Sequence, residues 1–273
     1  MPRFFVRADA IQNTRVRITG EDAVHISRSL RMRPGEEITV CDMQGREYQC
    51  RLHAFSGDRV DAEILSVKES ENEPPYLATL YMALPKGDKM DYIVQKSVEL
   101  GVTRIVPFAS SRCVVKPDAQ GAEKKRNRWQ KIADAAAGQC GRAILPQVAS
   151  PRAFADALSD AAGDAREGGL SFFCYEGADA RDPSLSGLLS TAKATLFSSR
   201  TPGAKPRISF FIGAEGGFSV EEAEKARAAG LPAVGLGKRI LRCETAPLFV
   251  LSCLLYTLEL PNSTEENRSH AKT

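Results

Sequence analysis

The stretch Ile212-Gly213-Ala214-Glu215-Gly216-Gly217-Phe218-Ser219 decides the fold. It follows the apolar run 207–212 and leads into a helix whose start is marked by Ser219 with Glu222 three residues on, the spacing of a capping box. A strand, a tight glycine turn and a capped helix in succession form the repeating joint of an α/β protein. In an open parallel sheet, ligands bind at the carboxyl ends of strands, where such a turn sits. Three glycines in five positions let the backbone approach a ligand closely, although each alone is also explained as a turn that needs positive φ. The spacing fits neither the dinucleotide nor the P-loop fingerprint, and Glu215 beside a helix start would repel a phosphate.

About twenty residues further on, Gly235 to Ala246 reads GLGKRILRCETA and runs into an almost wholly apolar helix. Lys238, Arg239, Arg242 and Glu244 stand beside Ile240, Leu241 and Ala246, which puts backbone amides, an apolar slot and charges in one loop. That mixture suits an adenine-containing ligand. A plainer account stays open beside it, in which Arg242 and Glu244 neutralise one another at a subunit surface.

Upstream of these bends, 77–83, 104–108, 171–175 and 233–236 are further short apolar runs suited to strands buried on both faces. Between them lie helical patterns: Met90, Ile93, Val94 and Val98 recur at i, i+3, i+4 and i+8, and 124–137, 151–162 and 220–229 are similar in texture. Residues 1–72 differ, with strand-like segments at 15–19, 37–41, 47–53 and 59–67 separated by Pro-Gly and Gly-Asp turn signals. This predicts a small β-barrel, followed by an acidic, Pro-ending linker at 69–75 and an α/β unit over 73–261. Residues 198–206 read as a flexible loop and 262–273 as a disordered tail.

The 273 residues are 43% hydrophobic and 26% charged, which suits a soluble chain with a sizeable core. The apolar run 246–258 falls short of the roughly 18 residues of a membrane span, and no N-terminal leader is evident, so a cytoplasmic protein is expected, with no membrane partner. Seven cysteines without a C-x-x-C pair read as reduced thiols, and three scattered histidines suggest no metal. Net charge is only +3, but it is unevenly spread: residues 1–33 hold seven Arg against three acids, and residues 86–142 hold twelve Lys or Arg against six acids. Such blocks suit a phosphate-contacting face, or two solvated faces balanced elsewhere. Three function classes therefore stay open on the residues alone: an RNA-modifying enzyme, a catalytically silent RNA-binding protein, and a small-molecule enzyme on a nucleotide-binding sheet.

Across both halves the sequence resembles the ribosomal small-subunit (16S) RNA methyltransferases that modify uracil N3, members of the trefoil-knotted SPOUT class. The residues behind the resemblance are Arg3-Phe4-Phe5; His25, Leu30-Arg31 and Pro34-Gly35; Lys86 and Lys89-Met90-Asp91; Gln95-Lys96 and Glu99-Leu100-Gly101; Arg112 and Lys116; Trp129; Gln139 and Gly141-Arg142; and both glycine loops. Ala214 stands where the family usually has proline, and Cys243 where it often has threonine.

The resemblance implies a PUA-like RNA-binding barrel at the N-terminus, a knotted C-terminal domain for S-adenosylmethionine, and a homodimer acting on 16S ribosomal RNA or the small ribosomal subunit. It implies cofactor contacts from Ile212, Gly213, Glu215, Gly216, Gly217, Leu236, Gly237, Ile240, Leu241, Arg242, Thr245 and Ala246. Arg242 is the first candidate for steadying a uracil oxygen, and Glu244 for base or orienter. RNA contacts are expected from Arg31, Arg33, Lys86, Lys89, Lys96, Arg112 and Arg142. His25 reads as a hydrogen-bonded barrel residue and Trp129 as packing.

Overall fold

The computed structural model describes residues 1–113, 118–179, 182–196 and 204–260. Lys116, the tail 262–273 and residues 198–203 of the expected flexible loop lie outside them. The chain divides into two compact units, Met1–Glu73 with Asp134–Leu145, and Pro74–Ala133 with Pro146 onward.

In the first unit, six strands follow the order β1-β4-β5-β6-β3-β2: β1 (Arg3–Phe5), β2 (Ile11–Gln12), β3 (Arg15–Thr19), β4 (Glu37–Cys41), β5 (Arg46–Ser56) and β6 (Arg59–Glu69). All pairs are antiparallel except β1 with β4, so the sheet is mixed. Alternation sets which side chains go inward: along β3, Val16 and Ile18 are buried while Arg15, Arg17 and Thr19 face out. Phe4 of β1, Val16 of β3 and Leu52 of β5 belong to one core, with Ile11 of β2 packed against it, so both ends of the strand order wrap the same apolar centre. The short helix α1 (Glu21–Val24) continues in a wider turn to Ser29 and adds Ala23 and Ile26 to that core. The turns fall on the expected glycines, Gly35, Gly45 and Gly57, each at positive φ.

The acidic stretch after β6 exposes Glu71 and Asn72, yet it is tied to the rest of the first unit. Ser70 Oγ donates to Glu47 at 2.8 Å, Asn72 donates to the Gly141 carbonyl at 3.0 Å, and Glu73 is enclosed beside Arg142.

In the second unit every strand pairing is parallel. The strands are β7 (Leu77–Ala83), β8 (Arg104–Ala109), β9 (Gln147–Val148), β10 (Arg152–Ala153), β11 (Leu170–Cys174), β12 (Arg207–Ile212) and β13 (Ala233–Val234). They run in the order β10-β8-β7-β12-β11-β13, with β9 also on β8. The helices are α2 (Lys89–Glu99), α3 (Ala119–Gln139), α4 (Phe154–Arg166), α5 (Leu185–Leu196), α6 (Val220–Ala228) and α7 (Thr245–Leu254), which continues in a wider turn to Glu259. The expected strands and helices are present with shifts of a few residues at their ends, and α5 is an addition that the sequence pattern did not reveal. The last six residues of α3 belong to the first unit.

The core of the second unit is aromatic. Tyr81 of β7 stacks on Phe211 of β12 at 4.3 Å, and Phe108, Phe154 and Phe218 complete the cluster. Phe218 matters for function because it belongs to the glycine loop: its ring, 3% exposed, meets Phe173 of β11 edge-on at 6.0 Å and anchors that loop to the sheet. Trp129 on α3 is buried, as a packing residue should be.

Candidate active site

β12, β11 and β13 are adjacent, so their carboxyl ends lie side by side. The segments that leave them, 174–178, 213–218 and 235–246, line one cavity of about 460 Å³. That volume lies in the range of small-molecule sites.

The loop after β12 is closed on itself. Gly217, at φ +62°, donates its N–H to the Ala214 carbonyl at 2.9 Å. A Cβ on Gly213 would stand 2.9 Å from the Gly217 Cα, so the two glycines pack backbone against backbone and no larger residue fits between them. The helix that follows is capped as expected: Glu222 N–H donates to Ser219 Oγ at 3.2 Å, and Ser219 N–H returns to the Glu222 carboxylate at 3.0 Å. The second Glu222 oxygen takes the Ser111 N–H at 2.7 Å.

Glu215 serves as an anchor. Its carboxylate accepts the Lys86 backbone N–H at 3.1 Å and the Lys89 ammonium at 2.7 Å. Burial alone would raise the Glu215 carboxyl, but the Lys89 bond and the backbone N–H groups outweigh it and hold it below the ordinary carboxylate value. Lys89 also lies 3.8 Å from Glu244, whose other partner is the Cys243 thiol donating at 3.2 Å. Glu244 is likewise held low: burial opposes this, and the Cys243 bond and Lys89 prevail. Burial, with the bond to Glu244 added, pushes the Cys243 thiol up to about 12, so it stays protonated and can keep donating.

Arg242 has 85% of its side chain exposed, and its distance to Glu244 is 4.0 Å. A contact that long between a solvated cation and a carboxylate does not tie the guanidinium down, so Arg242 faces the cavity available to a ligand. Its carbonyl receives the Thr245 and Ala246 N–H groups at 2.8 and 2.9 Å, which fixes the start of α7 directly behind it.

Of the expected cofactor residues, Ile212, Gly213, Glu215, Gly217, Leu236, Gly237, Ile240, Leu241, Arg242 and Ala246 line this cavity. Gly216 and Thr245 do not. The Gly216 carbonyl is taken by Arg112 at 2.7 Å, and Thr245 is exposed on the first turn of α7. Ile240 is 85% exposed, so it stands at the mouth of the cavity rather than forming an inner apolar wall. The sequence reading missed the segment after β11, where Cys174, Tyr175, Glu176 and Ala178 line the cavity. The signal was present: Ser171–Tyr175 is an apolar run that ends in Glu176-Gly177, a strand end of the same kind as the other two.

The expected RNA contacts separate into distinct groups. Arg31, Arg33 and Lys86 have exposed side chains. Lys89 lines the cavity, and Arg112 grips the glycine loop. Lys96 pairs with Glu99 on its own helix at 2.8 Å. Arg142 is not placed as an exposed phosphate contact: its side chain is 3% exposed and holds Glu73, itself 7% exposed, at 2.8 Å within the first unit. His25 is exposed, edge-on to Phe4 at 6.3 Å, rather than hydrogen-bonded within the barrel. Among the described residues, no group of three or more His, Cys, Asp or Glu is placed to hold a metal, and no helix is long and apolar enough to cross a membrane.

Residues 72–255 match the RNA methyltransferase domain, and residues 18–65 match the RNA methyltransferase PUA domain. Ribosomal RNA small subunit methyltransferase E of Bacillus subtilis is 37% identical over 243 residues, covering 89% of this chain and 90% of the relative. The crystal structure of a protein of that name from Neisseria gonorrhoeae, bound to S-adenosylmethionine, is 34% identical with a TM-score of 0.76, covering 94% of this chain and 97% of the other. A Legionella pneumophila protein in complex with the same cofactor is 29% identical, also with a TM-score of 0.76, covering 93% and 96%.

Proposed function

The chain belongs to the ribosomal RNA small subunit methyltransferase E family, and from that membership and the site geometry we propose that it transfers a methyl group from S-adenosylmethionine to N3 of a uridine in 16S ribosomal RNA. The observation that carries this reading is the convergence of three neighbouring parallel strand ends on one cavity, with glycine-bounded walls and carboxylates suited to a cationic ligand.

The residues present fit the cofactor. Gly213 and Gly217 bring backbone close to the cavity, Leu236 and Leu241 supply half-buried apolar walls, and Glu176, Glu215 and Glu244 supply negative charge. When bound, the cofactor supplies an electrophilic methyl on a sulfonium. The chain must then present a nucleophile. Uracil N3 carries a proton and normally pairs, so the base has to leave its helix and lose that proton. Arg242, solvated and facing the cavity, holds a uracil oxygen and favours the deprotonated ring. Glu244 is ionised and fixed by Lys89 and Cys243, which suits it to orient the base; the same contacts that hold its value low make it the weaker candidate for accepting the proton.

Arg31 and Arg33 on the first unit, and Lys86 beside the cavity, meet the RNA backbone. The enzyme works as a homodimer in the cytoplasm, with the segment from Gly235 onward threaded through the knot of its class. Exposed apolar side chains support the dimer: Phe249 of α7, Tyr256 in the wider turn that follows it and Tyr92 of α2 are 41%, 74% and 50% exposed. Titration calorimetry with S-adenosylmethionine, ATP and nicotinamide dinucleotide tests the cofactor: only the first should bind, and its failure to bind defeats the proposal. Mass spectrometry of 16S RNA from cells lacking and regaining the protein tests the product, and light scattering tests the dimer.

A further inference from the structure

We propose that Lys89 is a positioning residue of the cofactor cavity: its ammonium clasps Glu215 of the loop after β12 and Glu244 of the loop before α7, holding the two bends together, and it does not contact RNA. The inference rests on the reading that this cavity takes S-adenosylmethionine.

Three observations support it. Lys89 opens α2 on a firm base, since Met90, Ile93, Val94 and Val98 behind it are buried. Its Nζ lies 2.7 Å from Glu215 and 3.8 Å from Glu244, so one cation faces two carboxylates carried by different loops. Both carboxylates have a second tie, the Lys86 N–H on Glu215 at 3.1 Å and the Cys243 thiol on Glu244 at 3.2 Å, which makes the group a network. An isolated exposed pair contributes little, but removing a cation shared by two carboxylates leaves two like charges facing one cavity. The same two carboxylates make Lys89 a poor partner for phosphate, which they would repel. With Lys89 in place the three side chains sum to one negative charge, a setting that admits a cationic ligand while keeping the bends closed. This also gives a reason for a glutamate in a glycine loop beside a helix start, where it would repel a phosphate.

The test measures S-adenosylmethionine binding by calorimetry for the wild type, Lys89→Met, Glu215→Gln, the double variant and Lys89→Arg. Binding of a 16S-derived RNA oligonucleotide across a salt series is followed in parallel, and thermal melting confirms that each variant is folded. Lys89→Met should weaken cofactor binding by about five- to tenfold, the scale of one charge-assisted hydrogen bond. Glu215→Gln should do the same, the double variant should be no worse than the weaker single, and arginine should largely restore binding. The salt slope for RNA should not move. The proposal is overturned if Lys89→Met binds the cofactor as the wild type does, if the two single effects add in full, or if cofactor binding is kept while the RNA slope drops by about 0.7 to 0.9, the signature of a lost phosphate contact. Absence of cofactor binding in the wild type would overturn the cofactor reading itself, and this proposal with it.

Discussion

Arg142 and Lys89 belong to the same basic block of the sequence, and the fold puts them to opposite uses. Arg142 is enclosed with Glu73, whose other oxygen takes the Ala143 and Ile144 N–H groups at 2.9 and 3.1 Å, so Glu73 ties residues 142–144 to the segment that follows β6 in the first unit. Lys89 lines the cavity, 37% exposed, with carboxylates on two different loops as its partners. A third cation, Arg242, is left almost entirely to solvent. Formal charge is the same in all three. Burial and the number of fixed acceptors decide whether it is enclosed in the fold, tied to carboxylates at the cavity or left in solvent.

The comparison breaks most readily at Arg142. Arg142→Met leaves the Glu73 carboxylate buried without its cation, which should cost about 3–5 kcal/mol and lower the melting temperature of the first unit, read by calorimetry, while methyl transfer per folded molecule changes little. If melting is unmoved, the pair is not structural and the contrast fails. Arg242→Ala should do the reverse: methyl transfer falls by about 10²–10³-fold with RNA and cofactor saturating, while stability stays within about 0.5 kcal/mol because the side chain is solvated. Full retention of rate would remove Arg242 from the chemistry.

Gly213→Ala sharpens the site half of the contrast. The added Cβ meets backbone at 2.9 Å, so the loop must shift, and cofactor affinity should fall by about tenfold or more, with a stability loss of about 1–3 kcal/mol seen in denaturant titration. Cys243→Thr should change cofactor affinity by less than about threefold, since a hydroxyl also donates to Glu244. The smallest effect is in pH dependence. Glu215 and Glu244 have folded values below the ordinary 4.5, so the unfolded chain binds more protons in that acid window. Their contribution is complete above 4.5 and is lost as pH falls through the folded values. Stability therefore rises with pH there, and Glu215→Gln should flatten part of that slope.

Much of this was legible in the residues. The strands at 15–19, 37–41 and 207–212 and the Ser219 cap were readable because each rests on near-neighbour geometry: alternation, a glycine turn, or a hydroxyl three residues from an N–H. Both glycine bends could be read as candidate ligand loops because they follow buried strands. The third wall, Cys174 to Ala178, was missed because nothing in a single segment says which strand will lie beside β12. Arg142 and Glu73 were read as an RNA contact and a linker for the same reason: their partnership spans 69 residues.

The sequence alone determined the alternation of strands and helices in the second unit, the β-rich first unit, and the chemistry available at two bends, since these follow from periodicity and backbone freedom over a few residues. Only the tertiary structure decided that β11, β12 and β13 share one cavity, that Lys89 serves Glu215 and Glu244, and that Arg142 is interior while Arg242 is not. Strand order and burial depend on contacts between distant segments. A charge takes its role from what surrounds it after the chain has folded.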